Sequence, residues 1–360
     1  MILPSEAAAP AWSRDHLRLH RHLRRHPLLL PPGVPLLLAV SGGQDSMALT
    51  ALLADLRRLY HWRLFLWHGN HRWRDEAAVQ ARELEAWAQQ RHLPFQLEEA
   101  EPAPSGEAEA RAWRYDCLRR QAQALGCRRV VTGHTASDRA ETVLLNLARG
   151  SHRRGLASLP ALRPLQGSAG GHRHDGDPIL LVRPLLPFSR EDTGRLCQAL
   201  GLPVWEDATN HDNRYTRNRI RSEVLPLLEA LHPGAAGRMA ALASRLEEEQ
   251  HEHNELLDLA IAALQTPSRG EAVAGLRRDA LARLGRGNRR RILERWLADQ
   301  AAPALTARLL EELADRLEPR RGPGQLDLAM GWQLRWDRST LVLLIKASSD
   351  TGHGGTEPLD

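Results

Sequence analysis

Short apolar runs alternate with amphipathic patterns along the first two thirds of the chain. The apolar runs are typical of buried strands, and the segments between them have helical spacing of apolar residues. Because parallel strands need crossover connections, this alternation predicts an α/β fold, an open parallel sheet with helices on both faces. The predicted strands are 35–40, 64–68, 94–97, 129–132 and 179–182, and the predicted helices are 45–59, 75–91, 107–125, 138–149 and 189–200.

The pattern changes on either side of this α/β domain, which we place at residues 35–215. Residues 1–34 predict an N-terminal helical extension, and residues 216–265 a long helical linker broken near Pro233-Gly234. Residues 266–346 predict a smaller, mainly helical domain with terminal β segments. We also predict helices at 276–283, 286–299 and 305–317, strands at 325–329, 332–337 and 340–346, a mobile insertion at 163–177 and a disordered tail at 347–360.

The first predicted strand ends abruptly in the glycine turn Ser41-Gly42-Gly43-Gln44-Asp45-Ser46. A junction of strand, glycine loop and helix directs several backbone N–H groups and the positive end of a helix dipole at one point, which suits a phosphate. The loop lacks the Gly-Lys-Ser/Thr ending of the common P-loop, and Lys346 is the only lysine in the chain. A glycine turn that merely connects strand to helix is the alternative interpretation.

Acidic residues follow the fourth predicted strand. Asp138 and Glu141 are three residues apart, so their carboxylates share one helix face. Together with Asp45 they are candidates for binding a magnesium ion or a cationic amine. The alternative interpretation is that these acids only cap the helix and complement its dipole, as acids in a first turn commonly do. Arg111 is a candidate for neutralising charge on a phosphate. The alternative interpretation is that it belongs to a surface helix with Glu–Arg ion pairs.

Composition bounds the partners and the compartment. The chain has 360 residues, 42% of them hydrophobic, and a net charge of +5, which fits a nucleic-acid partner or a solvated basic surface. Its three cysteines are far apart and form no C-x-x-C pair, which disfavours an iron–sulfur or zinc site. No apolar run approaches the length of a membrane span, so we predict a cytoplasmic protein without a membrane partner. The arginines predicted to contact RNA are Arg149, Arg153, Arg154, Arg214, Arg217, Arg219, Arg221, Arg289 and Arg290.

These motifs together resemble a known family. Ser41–Ser46 resembles the pyrophosphate loop of the N-type ATP pyrophosphatases, the PP-loop proteins. The whole set resembles the tRNA(Ile)-lysidine synthetases, well over about residues 35–230 and more weakly over 235–345. Thr135 and Ser137 stand where the family often has a second histidine and a second aspartate. The other matching segments are His68–His71 with Arg74, Glu107–Tyr115, Gly133–Gly155, Arg183–Leu186 and Asp207–Leu228.

The resemblance implies an ATP-dependent ligase. The wobble cytidine of a CAU anticodon in tRNA(Ile) would receive AMP from ATP at C2, with release of pyrophosphate. The ε-amine of free lysine would then displace AMP to form lysidine, which changes codon reading from AUG to AUA. A tRNA thiolase that uses the same adenylation step and a non-catalytic RNA-binding protein stay open as alternatives, as does a homodimeric assembly.

The same resemblance implies the site residues. Asp45, Arg111 and Asp138 would be catalytic, Asp138 and Glu141 would bind the lysine, and Asp45 and Asp138 would bind Mg²⁺. ATP would lie on Ser41, Gly42, Gly43, Gln44, Asp45, Ser46, Gly133 and His134.

Overall fold

A computed structural model of the chain describes residues 12–73, 76–165, 178–205, 216–267, 272–318 and 320–345. The chain divides into two units between Glu248 and Glu249, inside one long helix. The predicted tail and residues 166–177 of the predicted insertion lie outside the described residues. No described helix is both long enough and apolar enough to cross a membrane.

The described part of the first unit contains a six-stranded sheet that is parallel except at one edge. Its strands are β1 (Pro35–Ala39), β2 (Arg63–Asn70), β3 (Phe95–Glu99), β4 (Arg129–Thr132), β5 (Leu162–Pro164) and β6 (Leu180–Val182). Their order is β3-β2-β1-β4-β6-β5, and β5 pairs antiparallel with β6. The five predicted strands are confirmed, whereas β5 was not predicted. The strand order reverses between β1 and β4, because β2 and β3 lie on one side of this point and β6 and β5 on the other. In such sheets, ligands bind at this point, outside the carboxyl ends of the strands.

Helices cover both faces of this sheet, as predicted. They are α1 (Arg14–Arg25), α2 (Gln44–Tyr60), α3 (Glu76–Gln90), α4 (Glu107–Ala124), α5 (Ala136–Ala148), α6 (Arg153–Leu156) and α7 (Arg190–Ala199). Strand β1 has no exposed face: Leu36 and Leu38 pack with residues of α1, α2, α3 and α7, and Leu37 packs with Cys117 and Leu118 of α4. Burying apolar side chains on both faces is what fixes β1 at the centre of the sheet.

A helical segment completes the first unit and continues into the second. α8 (Thr216–Arg219), a π-helical turn (Ile220–Val224) and α9 (Leu225–Leu231) follow one another, and Ile220 and Leu225 pack on Ala140 of α5. The break predicted near Pro233-Gly234 separates α9 from α10 (Ala235–Leu264). The first part of the predicted linker therefore packs against α5 and brings Arg217 and Arg221 to the first turns of that helix.

The described part of the second unit combines three short helices with a five-stranded antiparallel sheet. The sheet order is β7-β8-β11-β10-β9, and Trp296, Leu313 and Leu334 lie in its core. The helix predicted at 276–283 begins only at Arg278, because the two residues before it belong to β8; β7 and β8 were not predicted. The elements are β7 (Gln265–Thr266), β8 (Ala272–Arg277), α11 (Arg278–Ala282), α12 (Arg286–Asp299), α13 (Ala307–Arg316), β9 (Gly324–Asp327), β10 (Trp332–Trp336) and β11 (Thr340–Ile345).

Candidate active site

The glycine loop connects β1 to α2 and is held by its own serines. The Ser46 hydroxyl accepts a hydrogen bond from the Ser41 N–H at 3.2 Å and donates to the Gly43 carbonyl at 2.8 Å. Gly42 has φ +82°, a left-handed conformation that favours glycine, and its carbonyl accepts from the Trp205 N–H at 3.1 Å. Since Gly43 caps the 17-residue helix α2, the loop lies at a helix N-terminus, where backbone N–H groups and the helix dipole stabilise an anion.

A further glycine lets the neighbouring strand approach this loop. A Cβ atom at Gly133, just after β4, would lie 2.8 Å from the Asp45 carbonyl oxygen and 2.9 Å from the Ser46 nitrogen. Real Cβ atoms essentially never come within 3.0 Å of such atoms, so the position requires glycine. The carboxyl ends of β1 and β4 therefore meet at one place, and Gly133 and His134 lie beside the loop.

Asp45 is held by α7, in contacts that sequence reasoning missed. Its carboxylate accepts from the Arg190 guanidinium at 3.0 Å and from the Thr193 hydroxyl at 2.5 Å. The Gln44 amide in turn donates to the Arg190 carbonyl at 2.5 Å and to Thr193 at 2.8 Å. A helix was predicted at 189–200, but nothing in its sequence indicated that its first turn faces Asp45.

The electrostatics of Asp45 fit a cation. Burial raises the pKa of Asp45, the hydrogen bond from Thr193 opposes that rise, and the nearby charge of Asp138 adds to it. Two carboxylates that repel each other next to a phosphate-binding loop fit Mg²⁺, which is usually bound by one or two carboxylates plus substrate phosphates. Within the described ranges no three His, Cys, Asp or Glu side chains cluster for a metal, so nucleotide oxygens and water would complete the coordination.

Glu141 is the anionic centre of an internal ion-pair cluster. It is 1% exposed, and its oxygens accept from Arg217 Nε at 2.8 Å, from Arg221 Nε at 2.6 Å and from Arg221 Nη2 at 3.0 Å. Arg217 Nη2 donates to Asp138 at 3.2 Å, and Arg221 Nη2, which already donates to Glu141, also reaches Asp138 at 3.5 Å. The spacing of Asp138 and Glu141 thus creates a carboxylate pair that binds cationic groups.

Asp138 also interacts with two residues between β4 and α5, Thr135 and His134. Thr135 donates both its N–H and its hydroxyl to Asp138, at 2.9 and 3.0 Å, which gives the departure from the family pattern a structural role. Desolvation raises the pKa of Asp138, but His134, Arg217 and the Thr135 N–H outweigh it and leave the pKa below its usual value. Burial lowers the pKa of His134 well below its usual range, so its ring is neutral at pH 7 and contacts Thr132 at 2.9 Å.

The remaining predicted phosphate ligand lies on α4. The Arg111 guanidinium carbon is 4.9 Å from the centre of the Tyr115 ring, and the side chain is exposed. No described carboxylate forms a salt bridge with Arg111. Its charge is therefore not neutralised within the described protein.

The arginines predicted to contact RNA differ in placement. Arg149, Arg153 and Arg154 are exposed around the end of α5 and in α6, and Arg219 is exposed and pairs with Glu223 at 3.0 Å. Arg217 and Arg221 instead face the carboxylate pair. In the second unit Arg290 pairs with Glu311 at 3.2 Å, and Arg214 lies outside the described residues.

Arg289 does not match the surface position that its prediction assumed. It is 5% exposed and lies 3.5 Å from Glu318, because its face of α12 turns into the core of the second unit. Helical periodicity alone did not separate it from its exposed neighbours.

The three cysteines of the chain, Cys117, Cys127 and Cys197, are free and buried. Burial raises the pKa of each thiol to about 11. Thiolates are therefore scarce at neutral pH, which disfavours sulfur chemistry on these residues.

A glycine loop at the switch point of a parallel sheet, with carboxylates beside it, defines an ATP-binding protein of the PP-loop class. Residues 22–228 match a family model described as a PP-loop domain. The solved U34-tRNA thiolase NcsA from Methanococcus maripaludis, with its [4Fe-4S] cluster, has a TM-score of 0.51 and 17% identity, over 64% of this chain and 78% of that chain. That likeness shows the shared fold.

Curated relatives identify the family within this class. The tRNA(Ile)-lysidine synthase of Parasynechococcus marenigrum is 49% identical over 336 residues, which cover 93% of this chain and 96% of that protein. The tRNA(Ile)-lysidine synthase of Prochlorococcus marinus is 40% identical over 341 residues, 92% of this chain and 97% of that one. The chain belongs to the tRNA(Ile)-lysidine synthase family.

Proposed function

We propose that this chain is an ATP-dependent ligase that joins the ε-amine of lysine to C2 of the wobble cytidine in tRNA(Ile) with a CAU anticodon. The observation that carries the proposal is that two binding features lie together at the carboxyl ends of the neighbouring strands β1 and β4. One is a loop suited to pyrophosphate, and the other is a carboxylate pair that binds cationic side chains. The names of the full-length relatives support the same reaction.

In the first step the C2 carbonyl oxygen of the cytidine attacks the α-phosphate, and the bond to pyrophosphate breaks. Backbone N–H groups of Ser41–Ser46 receive the pyrophosphate, and Arg111 neutralises charge on the α-phosphate. Arg190 and Thr193 orient the Asp45 carboxylate. When bound at Asp45 and Asp138, Mg²⁺ supplies positive charge to the leaving pyrophosphate.

In the second step the lysine amine attacks C2 and AMP leaves. Asp138 and Glu141 hold the incoming ammonium group, in place of guanidinium contacts that Arg217 and Arg221 make in this structure. The ammonium must lose a proton before it attacks, and a carboxylate of this pair is positioned to accept it. His134, being neutral, contributes hydrogen bonds rather than charge.

The exposed arginines lie where an anticodon loop can reach them. Asp138 and Glu141 are in the first turns of α5, and Arg149, Arg153 and Arg154 lie at and beyond its other end. A helix of 13 residues spans roughly 20 Å, comparable to a few nucleotides of backbone. We assign these three arginines to the RNA backbone, together with Arg219.

The test is incorporation of labelled lysine into RNA. The protein is incubated with ATP, Mg²⁺, radiolabelled lysine and a tRNA(Ile) transcript with a CAU anticodon. We expect stable label that is lost when the wobble cytidine is replaced by uridine. Absence of label from a transcript that still binds would overturn the proposal in favour of a thiolase or a binding protein. We also propose a cytoplasmic location, and the predicted homodimer is tested by the molecular mass in solution.

A further inference from the structure

Three arginines lie around the ring of Tyr115, and the charge of a fourth, Arg183, acts on the same side chain. The guanidinium carbons of Arg111, Arg163 and Arg114 lie 4.9, 5.4 and 6.0 Å from the ring centre. Burial acts to raise the pKa of Tyr115, but the charges of these three arginines and of Arg183 outweigh it and lower that pKa. Residues of α4, of β5 and of the turn after β6 therefore concentrate positive charge at one place.

Among the described residues only Glu107 places negative charge near this cluster, where it acts on Arg114 without forming a salt bridge. None of the four guanidinium groups forms a salt bridge there. Arg183 is 1% exposed; its Nη1 donates to the Pro160 carbonyl at 2.6 Å, and its Nε has no hydrogen-bond partner in the described structure. Burial lowers the pKa of Arg183 to about 10. A buried guanidinium with an unsatisfied donor among like charges is costly unless an anion completes it.

The buried Arg139 shows the contrast. It is 2% exposed, and each of its three guanidinium nitrogens donates a hydrogen bond, to the Ser158 carbonyl, the Ser244 hydroxyl and the Glu247 carboxylate. The fold therefore provides a carboxylate for the buried Arg139 but none for the buried Arg183 within the described residues.

The cluster borders the active site but reaches away from the glycine loop. The charges of Arg183 and Arg114 both act to lower the pKa of His134, so the cluster is close enough to influence the active site. Arg163 lies on β5, three strands from β1 in the order β1-β4-β6-β5. At about 4.8 Å per strand this is roughly 14 Å from the strand that carries the loop. The loop has its own donors for pyrophosphate, so the outer arginines face a different phosphate.

We propose that Arg114 and Arg163, beside the Tyr115 ring, form with the buried Arg183 a phosphate site that holds a backbone phosphodiester of the RNA next to the reacting nucleotide. The inference rests on the proposed function. A guanidinium fork binds phosphate oxygens through two parallel hydrogen bonds, and stacking on the ring fixes its plane. A nucleotide turned out of the anticodon loop brings its flanking phosphates to the pocket with its base. A phosphate of ATP is the other source of the same chemistry.

The first test compares Arg163→Gln with Arg91→Gln. Arg91 is a matched control, because its guanidinium carbon lies 5.0 Å from the Trp87 ring centre but precedes β3 at the opposite sheet edge. The tRNA affinity of the full chain is measured by filter binding at several salt concentrations. We expect Arg163→Gln to weaken binding by about tenfold, the loss of one charge-assisted contact. The slope of log affinity against log salt should fall by about 0.7, and the KM for ATP should not change.

The second test locates the phosphate. Anticodon stem-loops carry one neutral methylphosphonate linkage, on either side of the wobble cytidine. At the linkage that Arg163 contacts, the neutral substitution should weaken RNA binding by the wild-type protein as much as Arg163→Gln does. The same substitution should not weaken binding by Arg163→Gln any further. Equal binding by Arg163→Gln and Arg91→Gln would overturn the site. A raised KM for ATP with unchanged tRNA binding would assign the phosphate to ATP and overturn the RNA assignment. Failure of wild type itself to bind or modify tRNA would instead contradict the proposed function.

Discussion

Replacing Glu141 by glutamine tests the lysine site directly. The change keeps the size of the side chain and removes its charge. In the structure this carboxylate is 1% exposed and accepts three hydrogen bonds at 2.6 to 3.0 Å from Arg217 and Arg221. Glutamine has one acceptor oxygen and an NH₂ group that points a donor at a guanidinium.

The expected magnitude follows from the exposure of the partners. Breaking a fully buried ion pair costs about 3–5 kcal/mol. The side chains of Arg217 and Arg221 are 40% and 25% exposed, and Asp138 still faces them. Water and Asp138 therefore offset part of the loss. We expect Glu141→Gln to lower the free energy of unfolding by about 2 kcal/mol, and the Tm by roughly 4–8 °C. A lost charge-assisted contact to the substrate ammonium should raise the KM for lysine by roughly 10- to 150-fold.

The assay separates the two half-reactions. Release of pyrophosphate from ATP on addition of tRNA, without lysine, should persist in Glu141→Gln, because that carboxylate takes no part in adenylation. Glu247→Gln is the matched control, since Glu247 pairs with the buried Arg139 away from the loop. It should lose stability with no change in the KM for lysine. An unchanged KM for lysine in Glu141→Gln would refute our assignment of the carboxylate pair.

Three further substitutions test other parts of the account. Asp45→Asn should reduce tRNA-dependent pyrophosphate release at least 100-fold. Because the folded pKa of Asp45 is raised, its ionisation weakens the fold as pH rises through that pKa, so the asparagine variant should melt higher at neutral pH and lack that part of the Tm–pH profile. Gly133→Ala should raise the KM for ATP and cost about 1–3 kcal/mol in chemical denaturation, since its Cβ would lie 2.8 Å from the loop backbone; Gly106→Ala, with open space around it, should do neither. Leu37→Ala should cost about 2–5 kcal/mol in the same denaturation, because Leu37 is fully buried, whereas Leu28→Ala, at a side chain 71% exposed, should be nearly neutral.

The parallel sheet was predictable because its strands carry strong local signals. The apolar run 35–40 is too short for a helix and ends at two glycines, and the runs at 64–68 and 129–132 end similarly at glycines or polar residues. Strand β5 has three residues, one of them Pro164, and depends on pairing with β6. In the second unit Ala272–Arg277 has little intrinsic preference for a strand, and its pairing with β11 decides its structure.

The site was predictable where function is local in sequence and not where it depends on distant partners. The loop Ser41–Ser46 and the pair Asp138 and Glu141 are visible as motifs. Arg217, however, pairs with a carboxylate 76 residues earlier, whereas its sequence context predicted an RNA contact or a solvated basic helix face. Likewise, Arg163 looked like part of an insertion, and its approach to Tyr115 follows from the position of β5.

The central claim is that AMP is transferred to RNA before lysine reacts. The most direct measurement uses ATP labelled at the α-phosphate, with tRNA(Ile) and without lysine, followed by a chase with lysine. Our account predicts label on the tRNA before the chase and its release as AMP afterwards, and neither event in Asp45→Asn. Label on lysine rather than on RNA, or ligation with no labelled RNA intermediate, would contradict it.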